Sequence, residues 1–369
     1  MIGPLVDNAT HTLCGLALAR AGLDRGGPLA TVAVVAGANL PDLDIVTMAS
    51  QPAYLCHHRG ITHAVLGLAV EALLLAALVV AIGRAEAGRR LPVLLAAAAG
   101  LGSHLLLDGL NTYGIRPWLP FDQRWYYGDI AFIVDPWLWL CFFTAAALGT
   151  PPREDGRPRQ TWGFLLFATV ALVFMLAQSR ADAGAIPVVW AVAVSGLLAA
   201  RRRGLGLARR HLLALGAIAV ALGYLAVLAG GSRAAEALAR AEVAEITSAA
   251  VEVASVQPEP ASIRRFHAVV STRETTWLLA VDLDRAEALP WLERPRNLDE
   301  PALALVRDAP EHRAWRVFAR HPFVDWTPDG RLLLGDARYA PEARPSWCNF
   351  AVPAATPTSG SASRPSPSR

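Results

Sequence analysis

His104 and Asp108, in His104-Leu105-Leu106-Leu107-Asp108, are four residues apart and so stand one above the other on a helix face. An imidazole nitrogen and a carboxylate oxygen placed that way form a ready pair of ligands for zinc or a similar divalent ion. Alone, the pair also suits a plain hydrogen-bonded helix contact, but at the end of an apolar segment ionisable groups are expensive and tend to be functional. His63, at the end of His57-His58-Arg59-Gly60-Ile61-Thr62-His63, offers a further ligand, with Thr62 as a helix cap and Arg59 as a positive group able to hold a phosphate or balance carboxylates. Asp42 and Asp44 follow Pro41 with no basic neighbour; they repel unless a cation lies between them, and one of them could bridge two ions. A polar turn that caps the next segment is the alternative for that pair. His11, in Asp7-Asn8-Ala9-Thr10-His11, opens the first short helix and says little by itself. His57, His58, Asp129 and Asp135 complete the set of ionisable groups at the mouths of apolar segments.

Those mouths belong to membrane-spanning elements. The chain has 369 residues, 54% hydrophobic and 18% charged, which is too apolar for an ordinary soluble domain. Six segments are long and apolar enough to span or nearly span a bilayer: Thr62–Ile82, Leu91–Leu107, Ala131–Gly149, Trp162–Gln178, Ile186–Ala200 and Leu212–Ala229. Two shorter runs, Thr12–Leu23 and Leu29–Leu40, precede them and form a short helical hairpin tucked against the bundle. All 34 basic residues counted as Lys or Arg are Arg, and they cluster in short loops at Arg84 to Arg90, Arg153 to Arg159 and Arg201 to Arg210, with Arg20 and Arg25 in agreement. The positive-inside rule makes these loops cytoplasmic and sends the histidine and aspartate mouths, with everything after Gly230, to the other side. Arg placement and ligand placement are independent signals that agree. The formal charge of +3 is too small, and its Arg too scattered among loops, to suggest nucleic-acid binding. Cys14, Cys56, Cys141 and Cys348 show neither zinc-knuckle nor disulfide spacing.

The expected fold is therefore mainly α: a polytopic helical membrane bundle of about six long spans plus the N-terminal hairpin, over residues 1–230. A small α+β domain follows at 231–353, outside the membrane. It has strand-like runs at Phe266–Ser271, Trp277–Asp282, Phe323–Trp326 and Arg331–Leu334, with a helical stretch around Pro301–Arg320. The Ser/Pro/Thr-rich tail at 354–369 reads as disordered.

The series Asn8-Ala9-Thr10-His11, Leu40-Pro41-Asp42-Leu43-Asp44, His58-Arg59-Gly60-Ile61-Thr62-His63 and His104-Leu105-Leu106-Leu107-Asp108 followed by Asn111-Thr112-Tyr113-Gly114 resembles the membrane-bound metal-dependent hydrolases of the YdjM type. The resemblance covers roughly the first 150 residues in motif detail. It implies His11, one of Asp42 or Asp44, His63, His104 and Asp108 as metal ligands. It also implies a distant relation to zinc-dependent phospholipase C and the P1-type nucleases, which cleave phosphoesters with a cluster of zinc ions. The further histidines and the helical HxxxE of those soluble enzymes are absent here. No GxSxG elbow, P-loop, GxGxxG after a strand or HExxH is present, which leaves serine-hydrolase, nucleotide-triphosphatase and zincin chemistry without support.

The expected function is a metal-dependent hydrolase of the inner membrane, multi-pass, with its C-terminal domain extracytoplasmic. A divalent ion, zinc first, would activate water against a phosphorus or acyl centre. Asp44 or Asp129 would relay protons, and Arg59 would stabilise negative charge. Membrane lipids and a small-molecule or lipid phosphoester are the expected partners. The alternative is a metal-ion or solute transporter using the same His/Asp cluster; it needs polar groups through the bilayer, and the inner halves of Thr62–Ile82 and Leu91–Leu107 offer hardly any beyond Glu71. A third possibility makes the membrane part an anchor for an active C-terminal domain.

Overall fold

The computed structural model describes residues 3–132, 135–148, 170, 186–203, 209–339 and 344–353. The N-terminal hairpin is present as α1 (Gly3–Ala21) and α2 (Pro28–Gly37), joined by a 3-10 turn at Leu23–Gly26. Because α1 begins at Gly3, His11 lies inside this helix and not at its start. A short helix α3 (Gln51–His57) precedes α4 (Val65–Gly83) and α5 (Ala87–Gly109). Further along come α6 (Pro136–Leu148), α7 (Ile186–Arg202) and α8 (Arg210–Ile246).

Among the described residues three helices, α4, α5 and α8, are long and apolar enough to cross a membrane, where six long spans are expected from hydropathy. Two of the other three are shorter in their described parts, and at α6 the structure shows a cause for where the helix starts. In the segment expected from Ala131 the helix starts only at Pro136, where the Asp135 carboxylate caps the chain, accepting from Trp137 N at 2.8 Å and Leu138 N at 3.0 Å. The resulting α6 has 13 residues, roughly 20 Å of helix against about 30 Å of hydrocarbon. Helix α7, at 17 residues, is likewise shorter than a full span. Trp162–Gln178 falls, apart from Val170, outside the described residues, as do the Arg153 to Arg159 loop and the 354–369 tail.

Small residues set the packing that matters most. The buried stripe of α5 reads Val93, Ala96, Ala97, Gly100, Leu101, His104, Asp108, a helical period with almost no side-chain volume in its middle. At Gly100 an added Cβ would meet Val34 O at 2.2 Å, and at Gly37 one would meet Ala97 O at 2.7 Å, so α2 and α5 touch backbone to backbone. Polar links gather the opposite ends of the helices. Arg20 and Arg210 both reach Asp24, at 3.2 and 3.7 Å, and Arg89 donates to Arg25 O at 3.3 Å. The Arg-bearing ends thus lie at one end of the bundle, and the His/Asp mouths at the other.

Helix α8, 37 residues and about 55 Å long, outruns a bilayer. Its last turns bury Ala235, Ala239 and Val243 against a four-stranded antiparallel meander of β1 (Val253–Pro258), β2 (Arg265–Ser271), β3 (Thr275–Asp282) and β4 (Glu287–Pro295). Period-2 alternation then builds the layers. On β3, Trp277, Leu279 and Val281 face α8, while Leu278 faces a second sheet of β5 (Pro322–Trp326), β6 (Leu332–Asp336) and β7 (Phe350–Val352). On β6, Leu333 points back to the first sheet, and Leu332 and Leu334 face α9 (Pro310–Phe318). That outermost layer packs on Leu55 of α3 and on Tyr113, so the C-terminal α+β domain sits over the His/Asp end of the bundle.

Candidate metal centre

Asp42, His63, His104 and Asp108 each present one ligand atom to a common point, all within 4.8 Å of one another and nearly all buried. Three separate elements deliver them. His104 and Asp108 come from the last turns of α5, Asp42 from the 3-10 turn Pro41–Thr47 that follows α2, and His63 from the 3-10 turn Ile61–His63 that leads into α4.

Five separations among the four donors lie between 3.0 and 3.6 Å, close to those of donors around a tetrahedral ion. His63 Nε2 and His104 Nε2 are 3.0 Å apart. Asp108 Oδ2 stands 3.4 Å from each, and Asp42 Oδ1 stands 3.4 Å from His63 Nε2 and 3.6 Å from His104 Nε2. Four N and O donors at zinc-bonding distances of about 2.0–2.2 Å lie roughly 3.3–3.6 Å from one another. The residues present fit a small divalent ion.

Hydrogen bonding on the far side of each ring makes that fit specific. His104 Nδ1 lies 2.9 Å from Ala38 O, an atom that only accepts, so Nδ1 carries the proton and Nε2 a lone pair. His63 Nδ1 lies 3.0 Å from Thr62 Oγ1, whose hydroxyl donates on to Asp44 Oδ2 at 3.2 Å. That relay gives His63 the same tautomer. Two nitrogen lone pairs then face each other across 3.0 Å in a dry site, which a cation or an added proton must separate. The charge balance agrees: three carboxylates, Asp42, Asp44 and Asp108, against the single guanidinium of Arg59 leave two negative charges. Burial alone lowers the pKa of His63, but the carboxylates of Asp108 and Asp42 outweigh it and the pKa ends raised. Burial raises Asp42 in turn, and its contacts with His63 and His104 reverse the shift, leaving it lowered.

The remaining sequence candidates fall around this group in distinct places. His11 stacks on His104 with ring centroids 3.9 Å apart, and its Nε2 is 3.4 Å from Asp108 Oδ1, the carboxylate oxygen other than the one beside His63 and His104. Asp44 is not at the common point. Its oxygens accept from His58 Nδ1 at 3.0 Å, Arg59 N at 3.2 Å and Thr62 Oγ1 at 3.2 Å, so it orients His63 from behind, the carboxylate–histidine arrangement that fixes metal ligands. His58 is held neutral: burial lowers its pKa more than Asp44 restores it. His57 is exposed on the last turn of α3.

Arg59 is a clamp, not a free cation facing the opening. Its backbone adopts φ 54°, a left-handed conformation uncommon outside glycine. From there the guanidinium donates to Asp108 Oδ1 at 2.8 Å, Asp108 O at 3.3 Å, Asn111 Oδ1 at 3.1 Å and Gly114 O at 3.3 Å. Asn111 Oδ1 also accepts from Tyr113 N, which folds the segment after α5 back over Arg59. Asp129 lies elsewhere, paired with Arg320 of the C-terminal domain at 2.8 Å, and Asp135 is the α6 cap whose other oxygen accepts from Tyr224 Oη at 2.7 Å. Reasoning from sequence missed Ala38 O, which has no residue-type signal. It also left Asn111 and Tyr113 as loop residues, although the run Asn111-Thr112-Tyr113-Gly114 directly after Asp108 was there to be read.

No curated protein and no solved structure matches the chain. Residues 6–185, the segment that carries every residue of the metal group and its supports, match the YdjM inner membrane protein family. The C-terminal domain lies beyond that match. Over residues 6–185, then, this membrane protein is similar to the YdjM inner membrane protein family.

Proposed function

We propose that the protein is a membrane-bound metal-dependent hydrolase of phosphoesters, with zinc as the ion. The observation that carries this is the pair of imidazole Nε2 atoms 3.0 Å apart, each with its Nδ1 proton committed elsewhere, with a carboxylate oxygen of Asp42 and one of Asp108 close to both. Three of the donors, His63, His104 and Asp108, are fully buried and held from behind, the two-histidine-one-carboxylate base found in catalytic zinc sites. The fourth, Asp42, is on a turn and is the one with an accessible edge, 11% exposed. It occupies the corner where a catalytic site admits water or substrate. An ion held there supplies Lewis acidity and acidifies water near neutral pH.

The chain's own groups have separable tasks in that chemistry. Asp42, with its lowered pKa, stays ionised at neutral pH and takes the proton from the attacking water. Thr62 and Asp44 keep His63 in the ligating tautomer. Arg59 holds the Asp108 carboxylate in place, and its donors are engaged there rather than at a phosphoryl group. By the positive-inside rule the Arg-bearing ends are cytoplasmic, so the metal group and the C-terminal domain are extracytoplasmic. An impermeant thiol reagent should label Ala49→Cys in intact cells, and labelling only after lysis overturns that orientation.

The activity test is a panel of phosphoesters presented to zinc-loaded protein beside Asp42→Asn and His63→Ala. Expected is hydrolysis by the parent, bound ion but little turnover in Asp42→Asn, and loss of both in His63→Ala. Full zinc content in His63→Ala refutes the site; a bound ion with no turnover of any ester refutes the hydrolase assignment.

A further inference from the structure

We infer that the metal centre receives its substrate sideways from the bilayer, so that the substrate is a long-chain amphiphile whose polar head reaches Asp42 while its chain stays among lipids. The word substrate rests on the hydrolase proposal; the route of entry rests on surfaces alone.

The aqueous face of the group is closed by the C-terminal domain. The Arg59 guanidinium lies 4.7 Å from the Tyr113 ring centroid, and Tyr113 packs in turn on Phe318 at 4.9 Å and stacks on Trp347 at 6.4 Å. Arg338 ties this cover down by donating to Thr112 O. His58, Arg59 and Tyr113 beneath it are all buried.

The accessible edge is on another side and is apolar. Asp42 is flanked on its turn by Leu43 and Val46, which are 59% and 80% exposed. Ile61, on the adjoining turn, is 50% exposed and borders Asp44 through Thr62. Pro117 O accepts from Val65 N at 2.9 Å, and the loop that follows it holds out Trp118 and Phe121, the latter 86% exposed. An entrance meant for a water-soluble substrate would be rimmed by polar groups, and a continuous exposed apolar rim marks a lipid or protein contact.

Continuity with the membrane-facing surface selects lipid. The rim runs on into the exposed strip of α4 that starts at Val65 and Leu66 and continues through Leu73 and Leu78, the outward side of a spanning helix. Leu106, two residues before Asp108 on α5, is 73% exposed, so hydrocarbon reaches almost to the depth of the metal group. Trp118 at the same level is where interfacial aromatics anchor. A phosphoryl head at headgroup depth can therefore meet Asp42 without its chain leaving the bilayer.

Two measurements on full-length protein in phosphatidylcholine vesicles test this. In a Cys56→Ser/Cys141→Ser background, a fluorophore on Val46→Cys should be quenched by brominated acyl chains and spared by iodide, with Arg285→Cys on the β3–β4 turn as the water-exposed control. Quenching by iodide overturns the lipid entrance, and quenching by neither points to a covering protein and overturns it equally. In the second, zinc-loaded enzyme is given dioleoyl phosphatidic acid in vesicles or dibutyryl phosphatidic acid in solution. The long-chain ester should be favoured, and Leu43→Asp/Val46→Asp should lower its turnover about tenfold or more with zinc content unchanged, because a charge must then enter an apolar contact. Equal turnover of both esters overturns the inference. Turnover of neither, with the lipid quenching intact, counts against the hydrolase proposal and not against the lateral entrance.

Discussion

Thr62→Val probes the metal centre without touching an ion ligand. The substitution keeps shape and removes one hydroxyl, which accepts from His63 Nδ1 at 3.0 Å and donates to Asp44 Oδ2 at 3.2 Å. Asp44 retains two other donors, His58 Nδ1 and Arg59 N, so the carboxylate itself remains satisfied. His63 does not: its Nδ1–H is left with Asp44 Oδ2 at 3.7 Å, beyond a good hydrogen bond. In the metal-free variant the ring relaxes by moving its proton to Nε2, where it donates to the His104 Nε2 lone pair 3.0 Å away. An incoming ion must reverse that switch and leave a buried N–H poorly paired, at a cost of about 1–3 kcal/mol. That matches the usual effect of removing an outer-shell partner, about 10–100-fold in affinity, or roughly 1.4–2.7 kcal/mol. Zinc affinity measured by chelator competition should fall by that amount in Thr62→Val and recover in Thr62→Ser, with little change in metal-free thermal stability. Affinity within about twofold of the parent in Thr62→Val would show that the relay does not set the tautomer of His63, and the lone-pair argument for the ion would go with it.

Proton competition should make metal binding pH-dependent. His63 has a raised pKa in the folded, ion-free protein, so zinc affinity should drop as pH falls through that raised value, as calorimetry at several pH values would show. Without metal the sign reverses for stability. The His63 contribution is fully present below its unfolded pKa and is lost as pH rises through the folded one, whereas that of Asp42 is present above its unfolded pKa and is lost as pH falls. Arg59→Met strips the guanidinium from a carboxylate that is 1% exposed and should destabilise the metal-free protein by about 3–5 kcal/mol, with zinc restoring part of the loss in a thermal scan. A variant as stable as the parent without zinc would refute the clamp. Gly100→Val would drive a side chain into Val34 O, pushing α2 from α5 and parting Ala38 O from His104 Nδ1; zinc binding should be lost although no ligand changes.

Sequence alone determined the parts of this protein that depend on local pattern. Hydrophobic runs located α4, α5 and the membrane half of α8, period-2 alternation located β2, β3, β5 and β6, and four-residue spacing placed His104 and Asp108 on one face. All four residues of the group stood among the ionisable residues at the mouths of apolar segments, and the family resemblance narrowed that list to a set that also held His11 and left Asp42 and Asp44 as alternatives. Tertiary structure decided what spacing along the chain does not encode. Asp42 and Asp44 are indistinguishable as residue types two apart, and only the approach of the Ile61–His63 turn brings one beside His63 and His104 and the other to the back of His63. Arg59 became a clamp because its left-handed backbone turns it toward the end of α5, more than forty residues away in the chain. Among the described residues fewer helices than apolar segments are long enough to span, because apolar composition measures length of segment and not length of helix; at α6 the Asp135 carboxylate caps the chain and the helix starts only at Pro136. The cover over the aqueous face was likewise invisible, since Tyr113 and Phe318 meet only after both domains have folded. Composition specifies which groups have to leave water, and packing settles which partner each one meets when it does.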